Sequence, residues 1–247
     1  MTRHTLQPVS GTYPEGKHRS GHRLRSYVIL VLAVFAAIGL RAETHYKPHI
    51  SVGAHAGMAV SRMSFAPEVP QSWKFGPMGG IQIRYAEERL VGVLAELNFV
   101  QRGWKELFAD NPELRYERSL SYVTLPIMTH ISFGSPRAKC FFNLGPEVGF
   151  MLSNSISSNF DYKNAVQFLP GTRRVNQMGM DISNKFDYGI TAGVGFEYYL
   201  SPRNSMTFDV RFYFGLGNIY PSSKSDEFSA SRTMSLSACL GYNFRLK

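Results

Sequence analysis

The feature that most constrains the fold is a strict alternation of apolar and polar residues at the end of the chain. Thr233–Leu246 reads TMSLSACLGYNFRL, and every second residue from Met234 onward is apolar. A period of two over fourteen residues predicts a β-strand with one apolar and one polar face. Strands in globular proteins have ~5 to 6 residues, so this strand is long. Both of its edges need hydrogen-bonding neighbours.

Seven further stretches show the same alternation, and no helical periodicity of useful length follows residue 42. These predicted strands are His49–Val60, Lys74–Tyr85, Leu90–Gly103, Leu120–Phe133, Ala138–Leu152, Lys185–Leu200 and Ser205–Leu216. Pro126 and Pro146 lie inside two of them. Since proline lacks the N–H that a central ladder uses, we expect a β-bulge at each proline.

The connections between the strands alternate in length. Short joins lie at residues 86–89, 134–137 and 201–204, and long joins at 61–73, 104–119, 153–184 and 217–232. Outer-membrane barrels have short periplasmic turns, longer outer loops and an even number of strands. A sheet in hydrocarbon must also close on itself to pair its backbone groups. The pattern therefore predicts an all-β, eight-stranded antiparallel up-and-down transmembrane β-barrel with both termini periplasmic.

The orientation of the two faces needs separate evidence, because a soluble lipocalin-like barrel also alternates but with its apolar face inside. The lysines after residue 42 all lie at strand ends or in loops, whereas a solvated outer face usually carries lysines in mid-strand. The apolar face is also rich in phenylalanine, which would crowd a narrow lumen. We therefore predict that the apolar face meets lipid and the polar face lines the lumen.

The polar face mixes glycines with residues of opposite charge, which predicts a lumen charge network. Its members are Arg84, Glu96, Arg102, Glu147, Glu197, Asp209 and Arg211. Side chains just fill the interior of an eight-stranded barrel, and buried charges need partners. We expect these residues to pair with one another and to leave the lumen too full to conduct. The open alternative for the three glutamates is a carboxylate site for acid–base chemistry.

The first 42 residues have the layout of a secretory signal peptide. A polar, basic leader precedes the apolar run Tyr27–Leu40, and Ala42 suits a cleavage site. The run is shorter than the ~20 residues of a spanning helix, although an uncleaved anchor is an alternative. We predict a signal peptide at 1–42 and an outer-membrane barrel domain at 43–247. Since the leader holds six of the bases and one acid, the net charge of +9 falls to +4 without it, and nucleic-acid binding has little support.

The sequence offers little support for catalysis or for a cofactor. Cys140 and Cys239 fall on opposite faces, so we predict no disulfide, and the histidines are too dispersed for a metal site. His130 and Ser132 resemble a fragment of the lipid A deacylase site. A catalytic pair also needs an oriented acidic group, and both residues face inward beside a short turn. We interpret His130 as a lumen histidine and predict that the protein is not an enzyme.

The longest predicted outer loop, residues 153–184, combines aromatic residues with arginines, which are enriched in binding hot spots. The candidate partner-binding residues are Phe160, Tyr162, Phe168, Arg173 and Arg174. A loop that is merely solvated is the alternative. If the loop does bind, its partner would be a protein that contacts the extracellular loops.

Several strand sequences resemble the PorT-like outer-membrane β-barrel family of Bacteroidetes. They include GVLAELNFVQRG at Gly92–Gly103, YVTLPIMTHISF at Tyr122–Phe133 and DYGITAGVGFEY at Asp187–Tyr198. The resemblance covers nearly all of residues 48–247 and implies a barrel in the outer membrane of a diderm bacterium. A named member of that family is a component of type IX protein secretion. The resemblance transfers no catalytic residues.

The end of the chain also resembles the assembly signal of outer-membrane proteins. Gly241, Phe244 and Leu246 fit that pattern, and Cys239 departs from it at the polar position. The resemblance implies the barrel assembly machinery as a partner during biogenesis. We therefore expect a structural or interaction barrel in outer-membrane lipid, possessing no cofactor. A small-solute porin and a lipid-modifying enzyme are the alternatives.

Overall fold

The computed structural model describes residues 48–86, 90–167, 169, 175–222 and 227–246. Eight long strands dominate it, as predicted. They are β1 (His49–Ala66), β2 (Lys74–Ala86), β3 (Val91–Glu106), β4 (Tyr116–Gly134), β5 (Ala138–Ser158), β6 (Phe186–Tyr199), β7 (Asn204–Gly215) and β8 (Ala230–Arg245). The loop between β5 and β6 contains a 3-10 helix, Tyr162–Gln167, and a single α-helical turn, Asn176–Gly179.

Each strand pairs antiparallel with the strands before and after it in sequence, and β1 pairs with β8 to close the ring. The closing register runs from Ser51 opposite Arg245 to Ala66 opposite Ala230. A two-residue strand, Gln71–Ser72, adds to the outer end of β3. The predicted eight-stranded up-and-down barrel is therefore confirmed. The start of β1 and the end of β8 lie at the same end of the barrel as the short turns.

The two strand prolines do not produce the bulges that the sequence suggested. Pro126 lies opposite Glu147 and Pro146 opposite Ile190, in the same register as their neighbours. A missing N–H removes a ladder hydrogen bond, but it does not require an extra residue. The register shift between β4 and β5 lies instead at Ser121 and Tyr122, where Leu152 is the additional residue.

The two faces of the wall are those predicted from the alternation. Outward apolar residues such as Ile81 and Leu240 are each 61% exposed, whereas inward polar residues are buried. Cys140 is exposed, Cys239 is buried, and both are free. We call the band of outward apolar side chains the apolar belt. Among the described residues, no helix is long and apolar enough to cross a membrane.

The pattern inverts where the strands run past the apolar belt toward the long loops. The outward residues become polar, as at Arg62, Gln101 and Lys105, and the inward residues become apolar, as at Met63 and Trp104. This outer part of the strands, which we call the extension, was not predicted and accounts for the extra length of β1, β3, β4, β5 and β8. It encloses a hydrophobic core of the kind found in soluble proteins.

The predicted signal peptide and its boundary at residue 42 lie outside the described residues. They remain predictions.

Candidate functional site: a charged lumen beneath an aromatic cap

The lumen nearest the short turns is bridged by one bidentate ion pair. Arg84 on β2 donates from Nη1 to Oε2 of Glu197 at 2.9 Å and from Nη2 to Oε1 at 2.7 Å. Ser205 donates to the same Oε1 at 2.6 Å. All three side chains are buried. Since Glu197 is on β6, four strands from β2 in a ring of eight, this pair spans the lumen.

The middle of the lumen is bridged from β7 to β3, which are also four strands apart. Arg211 forms ion pairs with Asp209 on its own strand and with Glu96 on β3. Asn98 donates to Glu96 Oε2 at 2.9 Å. His55 lies nearby, with Nε2 at 3.9 Å from the same oxygen. One guanidinium therefore serves two buried carboxylates.

The third tier is centred on Arg102 of β3, nearer the long loops. Its Nη2 donates to Glu147 Oε1 at 2.6 Å, and its Nη1 is 3.8 Å from Asp187 Oδ2. The guanidinium also lies over the Tyr213 ring, 3.9 Å from the centroid, in a cation–π contact. The sequence placed Asp187 and Tyr213 in strands but not in the network.

All seven residues proposed as a lumen network are thus buried and engaged in these three tiers. Two of the tiers join strands on opposite sides of the ring, so side chains occupy the bore at those levels. Buried charges persist when they are paired and hydrogen-bonded. This arrangement is suited to filling and rigidifying the lumen.

The pair His130 and Ser132 does not have the arrangement of a nucleophile and its base. Both are inward and buried. His130 Nδ1 is 2.7 Å from Asn143 Oδ1, and Nε2 is 3.3 Å from Arg84 Nη1. Both ring nitrogens therefore face groups of the charged lumen. In the described part of the chain, no cluster of three or more His, Cys, Asp or Glu residues is arranged to hold a metal ion.

An aromatic cluster closes the lumen on the long-loop side. Phe65 of β1 lies 5.4 Å from Trp104 of β3, 5.2 Å from Phe228 and 6.2 Å from Tyr220, measured between ring centroids. Trp104, Tyr220 and Phe228 are completely buried. Phe228 and Tyr220 belong to the loop between β7 and β8, so this loop folds over the mouth. We call this cluster and the loop segments packed on it the cap.

The buried side chain of Arg118 connects the β5–β6 loop to the cap through hydrogen bonds. Nη1 of Arg118 on β4 donates to the Met180 carbonyl at 2.7 Å and to the Tyr220 hydroxyl at 2.9 Å. Tyr220 in turn donates to the Gln177 carbonyl at 2.8 Å, and Tyr116 donates to the Met178 carbonyl at 2.8 Å. Burial raises the pKa of Tyr220 above its usual range, so the hydroxyl stays a donor. These bonds hold the β5–β6 loop against the barrel mouth.

The candidate partner-binding loop residues divide between the cap and the part that is not described. Phe160 packs edge-on against Phe108 at 5.6 Å, and Tyr162 packs against Tyr116 at 5.8 Å. Both rings are partly buried and pack against the hydrophobic core of the cap. Phe168, Arg173 and Arg174 lie outside the described residues, and partner binding by this loop stays a prediction.

The residues of the predicted assembly signal lie at the short-turn end of β8. Phe244 and Leu246 face outward and are 39% and 55% exposed. Gly241 faces inward, where an added Cβ would lie 2.5 Å from Thr207 Oγ1. Packing alone therefore favours glycine there, and the assembly role remains a prediction.

Two kinds of functional residue escaped the sequence analysis. The sequence placed Asp187 in a predicted strand but outside the charge network, and it assigned Trp104 and Arg118 to a loop. The cap can be recognised in the sequence where, within one strand, the apolar residues move from the even positions to the odd positions. In β1 the even positions are apolar from Ile50 to Val60, and the apolar residues then shift to Met63 and Phe65.

Comparisons with known proteins agree with this architecture. Residues 42–220 match the family model described as "Outer membrane protein beta-barrel domain". The fold is similar to that of OprG from Pseudomonas aeruginosa, at a TM-score of 0.51 and 10% identity, covering 81% of this chain and 97% of OprG. None of the curated protein sequences matches the chain.

Two further solved structures resemble the chain at lower scores. Neisserial surface protein A matches at a TM-score of 0.40 and 14% identity, covering 81% of this chain and 99% of that one. Ail, the attachment invasion locus protein of Yersinia pestis, matches at 0.39 and 12%, covering 79% and 99%.

Proposed function

Because the chain belongs to the outer membrane protein beta-barrel domain family, we propose that it is a closed outer-membrane barrel that acts as a structural or interaction protein. The observation that carries this proposal is the filled lumen. Arg84 with Glu197 and Arg211 with Glu96 each join opposite sides of the ring. Charge is therefore used to close the bore and not to line a water-filled channel.

The cap supports the same conclusion from the other end of the lumen. Its four aromatic rings and the Arg118 hydrogen bonds seal the mouth that the long loops surround. A porin of the type with 16 to 18 strands leaves an aqueous channel, whereas the interior of eight strands is filled by side chains. A role as a small-solute porin is correspondingly disfavoured, and the engagement of His130 with Asn143 and Arg84 disfavours catalysis.

The orientation that we propose places the short turns and both termini in the periplasm and the cap outside the cell. Outer-membrane barrels have short turns on the periplasmic side. The surface available to a partner is then the exterior of the cap and its loops. The barrel assembly machinery would act on the exposed end of β8 during insertion.

The resemblance to the PorT-like family suggests an accessory role in type IX protein secretion. We expect deletion of the gene in its native host to reduce the release of secreted type IX cargo. A plasmid that carries the wild-type chain should restore release. Unchanged cargo release in the deletion strain would contradict this role.

A photo-crosslinking amino acid placed in the cap tests whether another protein of the cell envelope contacts it. Val166, 68% exposed in the β5–β6 loop, is the test position, and Leu240, 61% exposed on the apolar belt, is the matched control. An interaction barrel should give a discrete protein adduct from Val166 that Leu240 does not give. Adducts to lipid alone from both positions would argue for a purely structural barrel.

A further inference from the structure

Two arginines lie beside each other on the outer wall, just beyond the apolar belt. Arg62 on β1 is opposite Met234, and Arg232 on β8 is opposite Ser64. Both have the outward parity, so they are diagonal neighbours on one face of an antiparallel pair. Such neighbours are separated by roughly 7 to 8 Å between Cα atoms.

Neither guanidinium group has a carboxylate partner among the residues that the structure describes. In the described part of the chain, no carboxylate lies within 4.0 Å of either, and the Nε atom of each is buried without a hydrogen-bond partner. By contrast, Lys105 at a similar height on β3 is 3.6 Å from Glu117. Like charges at neighbouring positions on one face of a sheet are unfavourable, and an anion that binds both would relieve this repulsion.

The aromatic neighbour of the pair is Trp73. The guanidinium carbon of Arg62 is 5.6 Å from the Trp73 ring centroid, within the range of a cation–π contact. Trp73 is 49% exposed on the surface of the barrel. Tryptophan is enriched where the hydrocarbon meets the headgroups.

The height of these residues places them at that boundary. The outward residues immediately below are apolar, including Val60, Leu236 and Phe75, and Phe75 is 64% exposed. The outward residue above Arg62 on β1 is Ser64. Arg62 and Arg232 therefore stand where the headgroups of the leaflet on the long-loop side begin.

We propose that Arg62, Arg232 and Trp73 form a binding site for the phosphate group of an anionic membrane lipid. Guanidinium groups present planar pairs of N–H donors that match phosphate oxygens. Two of them side by side, partly shielded from water by the wall, suit a doubly charged phosphate. The acyl chains of the same lipid would lie along the apolar belt below, which a free phosphate ion cannot use.

The test measures lipid binding to the full barrel in detergent micelles, by native mass spectrometry, with three probes. These are lipid A with its phosphates, the same lipid A after phosphate removal, and inorganic phosphate. We expect the phosphorylated lipid A to bind at least about tenfold more tightly than the dephosphorylated form, because charged hydrogen bonds are the strong ones. Arg62→Gln and Arg232→Gln should each lose about tenfold in affinity for it.

Two matched controls distinguish binding at this site from a general attraction between the anionic lipid and the positive charges of the protein. Lys105→Gln removes an outward cation in the extension, and Arg203→Gln removes an exposed cation at the short-turn end. Both should bind phosphorylated lipid A as the wild type does. Because Arg62 and Arg232 are half-exposed, their variants should keep the wild-type melting temperature, which is checked in parallel.

Three results would overturn the proposal. One is equal binding of the two lipid A forms, and another is an equal loss of affinity in the control variants. The third is competition by inorganic phosphate at concentrations similar to those of lipid A, which would indicate a site for a free anion.

Discussion

Replacing Arg211 by methionine is expected to lower the free energy of unfolding by about 3 to 5 kcal/mol, the range found when one partner of a buried ion pair is removed. Arg211 is the guanidinium shared by Glu96 and Asp209, and the side chains of both carboxylates are at most 2% exposed. Removing it leaves two buried negative charges next to each other. Arg102 also lies beside two carboxylates, but its contact with the second of them, Asp187, is longer, at 3.8 Å.

Equilibrium urea unfolding in lipid vesicles, followed by tryptophan fluorescence, measures this effect. Arg203→Met, which removes an exposed arginine of the turn before β7, is the matched control and should change the stability by less than about 1 kcal/mol. The triple variant Arg211→Met, Glu96→Gln, Asp209→Asn removes all three charges and should recover most of the loss. A destabilisation as small as the control's, or no recovery in the triple variant, would contradict the account of the middle tier.

Replacing Trp104 by alanine is expected to cost about 3 to 5 kcal/mol, the range for large-to-small changes of buried aromatic residues. The Trp104 ring is completely buried and contacts Phe65 and Tyr220. Its Nε1 also donates to Glu106 at 3.2 Å. Since the ring joins the wall to the β7–β8 loop of the cap, its loss should loosen the cap before the membrane-embedded strands unfold.

Limited proteolysis of the barrel in intact vesicles distinguishes loosening of the cap from unfolding of the membrane-embedded strands. We expect Trp104→Ala to be cleaved in the loops of residues 159–185 and 216–229 at protease concentrations that leave the wild type intact. Val166→Ala, a truncation of an exposed apolar side chain in the same region, is the control and should behave as the wild type. Equal protease resistance of Trp104→Ala and the wild type would show that the cap does not depend on this ring.

The lumen and the cap depend on each other physically. The cap keeps water from the Arg102 tier directly beneath it, and a lower local dielectric strengthens ion pairs of good geometry while raising the cost of any unpaired charge. The charges in turn give the barrel one defined interior arrangement. This is why we interpret the two features as one closed structure.

The wall of the barrel follows from the sequence because strand alternation is a local property. β8 shows it without interruption from Thr233 to Arg245, and the side that carries lipid follows from residue type at each parity. The pairing inside the lumen does not follow in the same way. Which residue meets Arg84 across the ring depends on the stagger and tilt of all eight strands, and no single strand encodes it.

The cap escaped the sequence analysis because two local rules conflict in the extension. Apolar residues such as Met63, Phe65 and Tyr116 fall on the parity that faces the lumen in the belt, where polar residues are expected. Above the belt water surrounds the wall, so the same parity must bury apolar side chains. The change of parity is what a boundary between hydrocarbon and water is expected to produce.

The measurement that tests the closed barrel most directly is the conductance of the wild-type protein in a planar lipid bilayer under applied voltage. With the pairs Arg84–Glu197 and Arg211–Glu96 across the lumen and the aromatic cap above them, we predict no stepwise current above that of the bare bilayer. Reproducible unitary steps carried by the folded wild-type barrel would contradict the account and indicate a small-solute pore.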